Sequence, residues 1–247
     1  MNQNTANNST VAFKPWPTIG YGVAVYIGST VIGVWLLALL SMAFMNEAID
    51  ISPVVEGNIT PELAYYFLQL VCISAVVGSA IIYYLTRTRL KAGTDAYLGV
   101  TPVSWKQMQP WLWLAFGYVF ISGIVTTVYD SMSDPTPVLD PLAMLDPSLM
   151  LLVTIIIAVP MWEELLFRGF IFEGLKNSPL GVNGAILLSS VWWAGMHTNY
   201  NLGGLIVILI FGILLGLARA RFNSVLLPIA MHSIYNGVIL VLSKVAS

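Results

Sequence analysis

Charge is what this chain has least of: only 9% of its 247 residues are charged, 57% are hydrophobic, and the mean hydropathy is +0.82. A soluble domain of this size carries far more charge, so the composition excludes one and reads as an integral membrane protein. The formal net charge of −2 leaves no basic excess for nucleic acid or a polybasic lipid-binding surface. Cysteine is equally scarce. Cys72 stands alone, so no intramolecular disulfide can form, and its place inside an apolar run reads as a buried spacer. The first 18 residues lack the early positive charge and cleavage pattern of a signal peptide and read as a short polar tail ending near an interfacial Trp16. The Asn-x-Ser/Thr matches at Asn7, Asn8 and Asn58 carry no weight. No internal repeat of the transporter kind is visible, and no soluble domain is attached.

What the chain has in quantity is apolar runs. A hydrocarbon core of about 30 Å needs about 20 apolar residues per helix, which places about seven spans, with eight as the alternative, at 19–45, 63–85, 111–129, 149–172, 182–198, 202–218 and 225–242. The expected fold is an all-α, polytopic transmembrane helix bundle. It divides into a tail at 1–18, N-terminal membrane helices over 19–145 and a second set over 146–247 that carries the chemistry, within one integral membrane domain. The fifth and sixth spans are short and bounded by Gly181, Gly184, Gly203 and Gly204.

The charges that remain are distributed unevenly. Arg87, Arg89, Lys91 and Lys106 lie between spans two and three, whereas Glu47, Asp50, Glu56 and Glu62 lie between spans one and two without a basic residue. Residues 130–146 hold Asp130, Asp134, Asp140 and Asp146 and again no Lys or Arg. The same threading puts Lys14, Arg168, Lys176, Arg219 and Arg221 with the first group, leaving only Lys244 on the acidic side. Basic loops face the cytoplasm, so the N-terminus is expected inside and, with seven spans, the C-terminus outside.

Against this background the run Ala158-Val-Pro-Met-Trp-Glu-Glu-Leu-Leu-Phe-Arg168 stands out. Charges within a membrane span are costly and are read as functional by default. Positions four apart share a helix face, so Glu164 reaches Arg168 as a neutralising pair, while Glu163 points about 100° away and needs another partner. Glu163 is the candidate general base or acid. The only two histidines, His197 and His232, both fall in apolar spans of the same half. His232 and Asn236 share a face, and a carboxamide there suits a developing oxyanion, although a buried Asn also commonly bridges helices. Trp193 lies one turn before His197, where it either walls the site or packs as bulk; bulk packing is the expectation. Counting from the helix ends puts Glu163 and His232 about 15 Å deep and His197 deeper, one layer reached from the cytoplasmic side or laterally. Pro160 is expected to kink its helix near the site. Gly212 and Gly216 read as an internal close-packing pair, and Trp105, Trp111 and Trp113 as an interfacial belt.

The three blocks Glu163-Glu-x-x-x-Arg168, Trp193-x-x-x-His197 and His232-x-x-x-Asn236 resemble the signature of the CPBP family, the Abi or CAAX-protease group of intramembrane proteases. That group includes CAAX prenyl endopeptidases and bacterial bacteriocin-processing and self-immunity proteins. Its second block usually begins with Phe, so Trp193 is an aromatic departure, and the resemblance covers residues 148–240. It implies an endopeptidase of the plasma membrane acting on a membrane-associated or lipidated peptide or protein, with the bilayer as its other partner. By that analogy Glu163 and His197 activate water, His232 and Asn236 hold the oxyanion, and Glu164 and Arg168 hold the architecture. The family is catalogued as metalloproteases and also described as metal-independent. No His-Glu-x-x-His is present, and Glu163, His197 and His232 either ligate zinc with an open position or bind only water. Metal-free chemistry is the preferred expectation and zinc the alternative. The rival readings are a non-catalytic immunity or scaffold protein of the same fold and a proton-coupled transporter. The chain's own end, Leu-Ser-Lys-Val-Ala-Ser, is no CAAX box.

Overall fold

The computed structural model describes residues 13–45, 49–50, 60–90, 93–132, 145–146 and 148–246. The tail over 1–12, Lys91, the acidic Glu47, Glu56, Asp134 and Asp140, and the three Asn-x-Ser/Thr matches lie outside them. The described residues are helical throughout their regular elements: α1 (Pro15–Leu40, continued by a π-helical turn Ser41–Met45), α2 (Pro61–Leu90), the short α3 (Thr94–Leu98), α4 (Trp105–Met132), α5 (Leu149–Lys176), α6 (Gly181–Gly195), α7 (Leu202–Phe222) and α8 (Leu226–Ala246). Among the described residues six of these are long and apolar enough to cross a membrane: α1, α2, α4, α5, α7 and α8. The span expected over 182–198 is the exception. As α6 it has 15 residues, about 22 Å at 1.5 Å per residue, and therefore falls short of the hydrocarbon core. Its last residues leave the helix so that His197 sits in the turn that leads to α7.

α5 is the centre of the bundle. It packs against α1 and α2 on one side and α6, α7 and α8 on the other, while α4 closes against α7 and α8. Large apolar side chains on α1 and α4 point outward, among them Trp35, Trp113, Phe120 and Ile124. Such a coat suits lipid and would be an aggregation hazard in water. Of the three tryptophans expected as a belt, Trp105 and Trp113 are exposed. Trp111 instead packs edge-on against Phe222 with ring centroids 6.0 Å apart. Cys72 is half-buried rather than a fully buried spacer.

Two glycines set how closely α5 and α6 can be approached. A Cβ on Gly78 of α2 would overlap the indole of Trp162, and one on Gly212 of α7 would lie 3.0 Å from the Trp193 ring and 3.1 Å from Arg168 Nη2. Gly216 meets Ile186 in the same way, so the Gly212/Gly216 pair serves internal packing of α7 on α6.

α5 does not run as a uniform helix. It passes through π-helical turns at Thr154–Ala158 and Leu165–Ile171, flanking the segment Val159–Glu164. In the first of these turns the N–H of Val159 reaches back five residues to the carbonyl of Thr154. The next donor in that register would be residue 160, which is proline and has no N–H, so the Ile155 carbonyl is stranded. The Asn236 carboxamide of α8 fills the gap, donating from Nδ2 to Ile155 O at 3.0 Å.

The two ends of the bundle differ in charge. At one end Arg219, fully buried, donates to Glu173 Oε2 at 3.0 Å, to the Arg168 carbonyl at 2.8 Å and to Asn223 Oδ1 at 2.6 Å. Lys176 pairs with the same Glu173 at 2.8 Å, and Arg89 donates to the Tyr21 hydroxyl at 3.1 Å. Phe13, Tyr21, Tyr97 and Phe170 form an aromatic cluster there. At the opposite end Asn201 donates to Asp130 at 2.8 Å, and Glu62 opens α2.

Candidate active site

The site is assembled from α5, the end of α6 and α8. Glu163 and Glu164 are adjacent on α5 and diverge as their helical phase requires. Glu164 is fully buried and Arg168 likewise, and Arg168 Nη1 donates to Glu164 Oε1 at 3.0 Å. The guanidinium also donates from Nη2 to the Gly212 carbonyl at 3.0 Å and lies over the Trp193 ring, 4.7 Å from its centroid. The pair is thus held by hydrogen bonds on Oε1, Nη1 and Nη2 and by the ring face, while Glu164 Oε2 and Arg168 Nε are buried without a hydrogen-bond partner among the described residues.

Glu163 faces the other way and keeps 21% of its side chain exposed. Its Oε2 accepts a hydrogen bond of 2.6 Å from the Trp193 indole N–H. The expectation that Trp193 is bulk packing is therefore corrected: this side chain grips the carboxylate directly. Phe in the same place has no N–H to give. The ring also stands edge-on to both histidines, with centroids 5.1 Å from His197 and 5.4 Å from His232.

His232 lies between the two carboxylates. Its Nδ1 donates to Glu164 Oε1 at 3.0 Å, and its Nε2 is 3.9 Å from Glu163 Oε2, too far for a direct hydrogen bond. The sequence spacing did not disclose the bond to Glu164, because helical phase relates residues on one helix and says nothing of a partner on another. His197 donates from Nδ1 to the Trp193 carbonyl at 2.9 Å. In both imidazoles the acceptor holds the proton on Nδ1 and turns Nε2 away from it.

A cavity of about 270 Å³ is lined by Glu163, His197, His232 and Asn236 together with Ile155 and Ser243. A second, of about 230 Å³, lies on the other side of His232 and Asn236 and is bounded by Trp193, Thr126 and Tyr235. The four side chains singled out in the sequence thus share one space. Glu164 and Arg168 are packed away from it, and Trp193 lines the second cavity. Asn236 combines two tasks: one N–H is spent on Ile155, and the residue still borders both cavities. The helix-bridging use of Asn236 is therefore present in the structure.

The same residues can be tested as a zinc set. Among the described residues no three of His, Cys, Asp and Glu come together closely enough to hold a metal ion. Glu163 Oε2 is engaged by an indole N–H and Nδ1 of each histidine by an oxygen acceptor, an arrangement that leaves Nε2 of each ring to bind either water or a metal ion.

Comparison with known families bears on residues 145–238, which match the family described as Type II CAAX prenyl endopeptidase Rce1-like. No curated protein and no solved structure matches the chain. The matched stretch takes in α5, α6, α7 and α8 as far as Asn236, that is, all the residues around the two cavities except those of α4 and Ile239, Leu240 and Ser243 of α8. Residues 145–238, the part of the chain that carries the site, are thus similar to a CAAX protease family.

Proposed function

We propose that the chain is an intramembrane endopeptidase that hydrolyses a peptide bond in a membrane-associated peptide or protein by a water nucleophile and without a metal ion. The observation that carries this is the single cavity bordered by Glu163, His197, His232 and Asn236. Water held between Glu163 and His197 Nε2 gives up a proton as its oxygen attacks the carbonyl carbon of the substrate. The negative charge that develops on the carbonyl oxygen is taken by the second N–H of Asn236, with His232 beside it. Collapse breaks the C–N bond, and the proton held by Glu163 passes to the leaving amine. Glu164 and Arg168 fix His232 and Trp193, and through them the reacting groups. The gathering of basic residues at one end of the bundle supports an N-terminus on the cytoplasmic side of the plasma membrane.

The test is cleavage of a peptide library by the full chain in lipid, with and without a zinc chelator, beside Glu163→Gln. Turnover is expected to disappear in Glu163→Gln and to survive the chelator. Cleavage that persists in Glu163→Gln removes the assignment of the base; cleavage lost to the chelator and restored by zinc replaces the metal-free mechanism.

A further inference from the structure

His232 and Asn236 border two cavities, and only the one of about 270 Å³ reaches Glu163. The other, of about 230 Å³, is smaller than the roughly 300–1,000 Å³ of sites that enclose a whole small molecule, and it suits a single amino-acid side chain. One of its walls is rigid. The rings of Phe211 and Tyr235 stack with centroids 4.4 Å apart, and Tyr118 stacks on Phe211 at 5.4 Å. Both phenols are tied, Tyr118 donating to the Val207 carbonyl at 2.8 Å and Tyr235 to Ser122 Oγ at 3.2 Å. The hydroxyls of the opposite wall are also spent within the chain. Ser122 Oγ donates to the Val119 carbonyl at 2.7 Å, and the Thr126 hydroxyl to the Ser122 and Gly123 carbonyls at 3.0 and 3.1 Å. Among the described residues no Lys, Arg, Asp or Glu lines this cavity. A lining without charge, whose donors are already satisfied, asks for no polar partner, whereas a charge placed there would lose its hydration uncompensated.

We propose that this second cavity is the specificity pocket of the site: it takes the side chain of one residue flanking the scissile bond, selects a large apolar one, and has its depth set by Gly123 and Thr126 of α4. A carbonyl held at the second N–H of Asn236 lies on the partition between the two cavities. The attacking water then occupies the side that holds Glu163, and the neighbouring side chain turns to the other. Gly123 and Thr126 are three positions apart on α4, share a helix face and both border the pocket. Gly78 and Gly212 are glycines because helices touch there, but a Cβ on Gly123 would meet no heavy atom within 4 Å. The missing side chain at Gly123 therefore leaves open space and does not serve packing. α4 also lies outside the matched residues 145–238, so the reacting groups stand on matched helices while the wall that gauges the side chain belongs to the unmatched part of the chain. This rests on the protease reading, which supplies the scissile bond.

The test uses fluorescein-labelled peptides of one apolar host sequence in which each position in turn is Ala, Leu, Phe or Asp. They are offered to the full chain in lipid nanodiscs, with cleavage read as kcat/KM and binding read by anisotropy on Glu163→Gln. One position is expected at which Leu and Phe exceed Ala by about ten- to a hundredfold in both readings and Asp is refused. Gly123→Leu fills the pocket and should lower the ratio of Phe to Ala at that position by about tenfold or more, without the same change at other positions. Thr126→Leu, one turn along the same face, gives the same reading if the thermal midpoint shows that Gly123→Leu does not fold. A preference left unchanged by a folded filling variant overturns the proposal, as does a parent chain that shows no size preference at any position or binds none of the peptides. Preference in binding without turnover in the parent chain removes the protease reading and keeps the pocket; turnover without preference does the reverse.

Discussion

The indole N–H of Trp193 donates to Glu163 Oε2 at 2.6 Å, and the same ring supports the guanidinium of Arg168 at 4.7 Å. One side chain therefore touches both halves of the Glu-Glu-x-x-x-Arg motif. It fixes the carboxylate that faces the cavity and covers the cation that neutralises the buried one. Trp193→Phe removes the first contact and keeps a ring for the second. A hydrogen bond to a charged group contributes about 1.5–3 kcal/mol, so turnover should fall by about ten- to a hundredfold. The thermal midpoint in detergent should stay near that of the parent chain. A large loss of midpoint with little loss of rate would assign Trp193 to packing.

Glu164 accepts from Arg168 and His232 on the same oxygen, both at 3.0 Å. Glu164→Ala leaves a guanidinium at 0% exposure without its counter-charge, which costs about 3–5 kcal/mol. Adding Arg168→Met removes the stranded charge, and the double variant is expected to recover much of the lost stability while remaining inactive, because His232 has lost its anchor. Unfolding midpoints of the two single variants and the double variant measure this directly. Additive losses would mean that the pair is not coupled.

The closeness of α2 to α5 depends on Gly78, whose Cβ would overlap the Trp162 ring. Both backbones there belong to helices, so the clash can be relieved only by moving the indole or spreading the helices. Gly78→Ala should destabilise the chain by about 1–3 kcal/mol, the usual range for overpacking. Since Trp162 adjoins Glu163, activity should fall as well. Thermal stability and turnover of Gly78→Ala unchanged from the parent would show that Trp162 repacks freely.

Much of this architecture is legible in the sequence because a membrane removes choices. Apolar runs of sufficient length become helices, and α1, α2, α4, α5, α7 and α8 follow from that rule. Helical phase likewise separates Glu164, bound to Arg168, from Glu163. What the sequence conceals are relations between helices. The indole bond of Trp193, the second partner of Glu164 and the backbone task of Asn236 each join residues at least 30 positions apart. Hydropathy also overestimates α6, because the helix ends at Gly195 and leaves Met196 and His197 in the turn to α7. Pro160 carried a signal for a kink, and in the π register it also identifies the carbonyl that needs an outside donor.

That donor gives a coupled prediction. Pro160 strands the Ile155 carbonyl and Asn236 satisfies it at 3.0 Å, so the two residues form a unit although they lie on different helices. Asn236→Ala leaves a carbonyl unpaired inside the bundle and should cost about 1–3 kcal/mol. Pro160→Ala restores an N–H at the position that can reach Ile155 along α5 and should be near neutral by itself. In the double variant the restored backbone bond replaces the lost carboxamide, so stability is expected to return towards the parent by more than the sum of the single effects allows. Turnover should not return with it, since the second N–H of Asn236 is absent from the cavity. A double-mutant cycle on thermal or denaturant unfolding, run beside a cleavage assay, reads both quantities. If activity recovers together with stability, Asn236 acts only as a bridge between α8 and α5, and the oxyanion contact belongs to His232 alone.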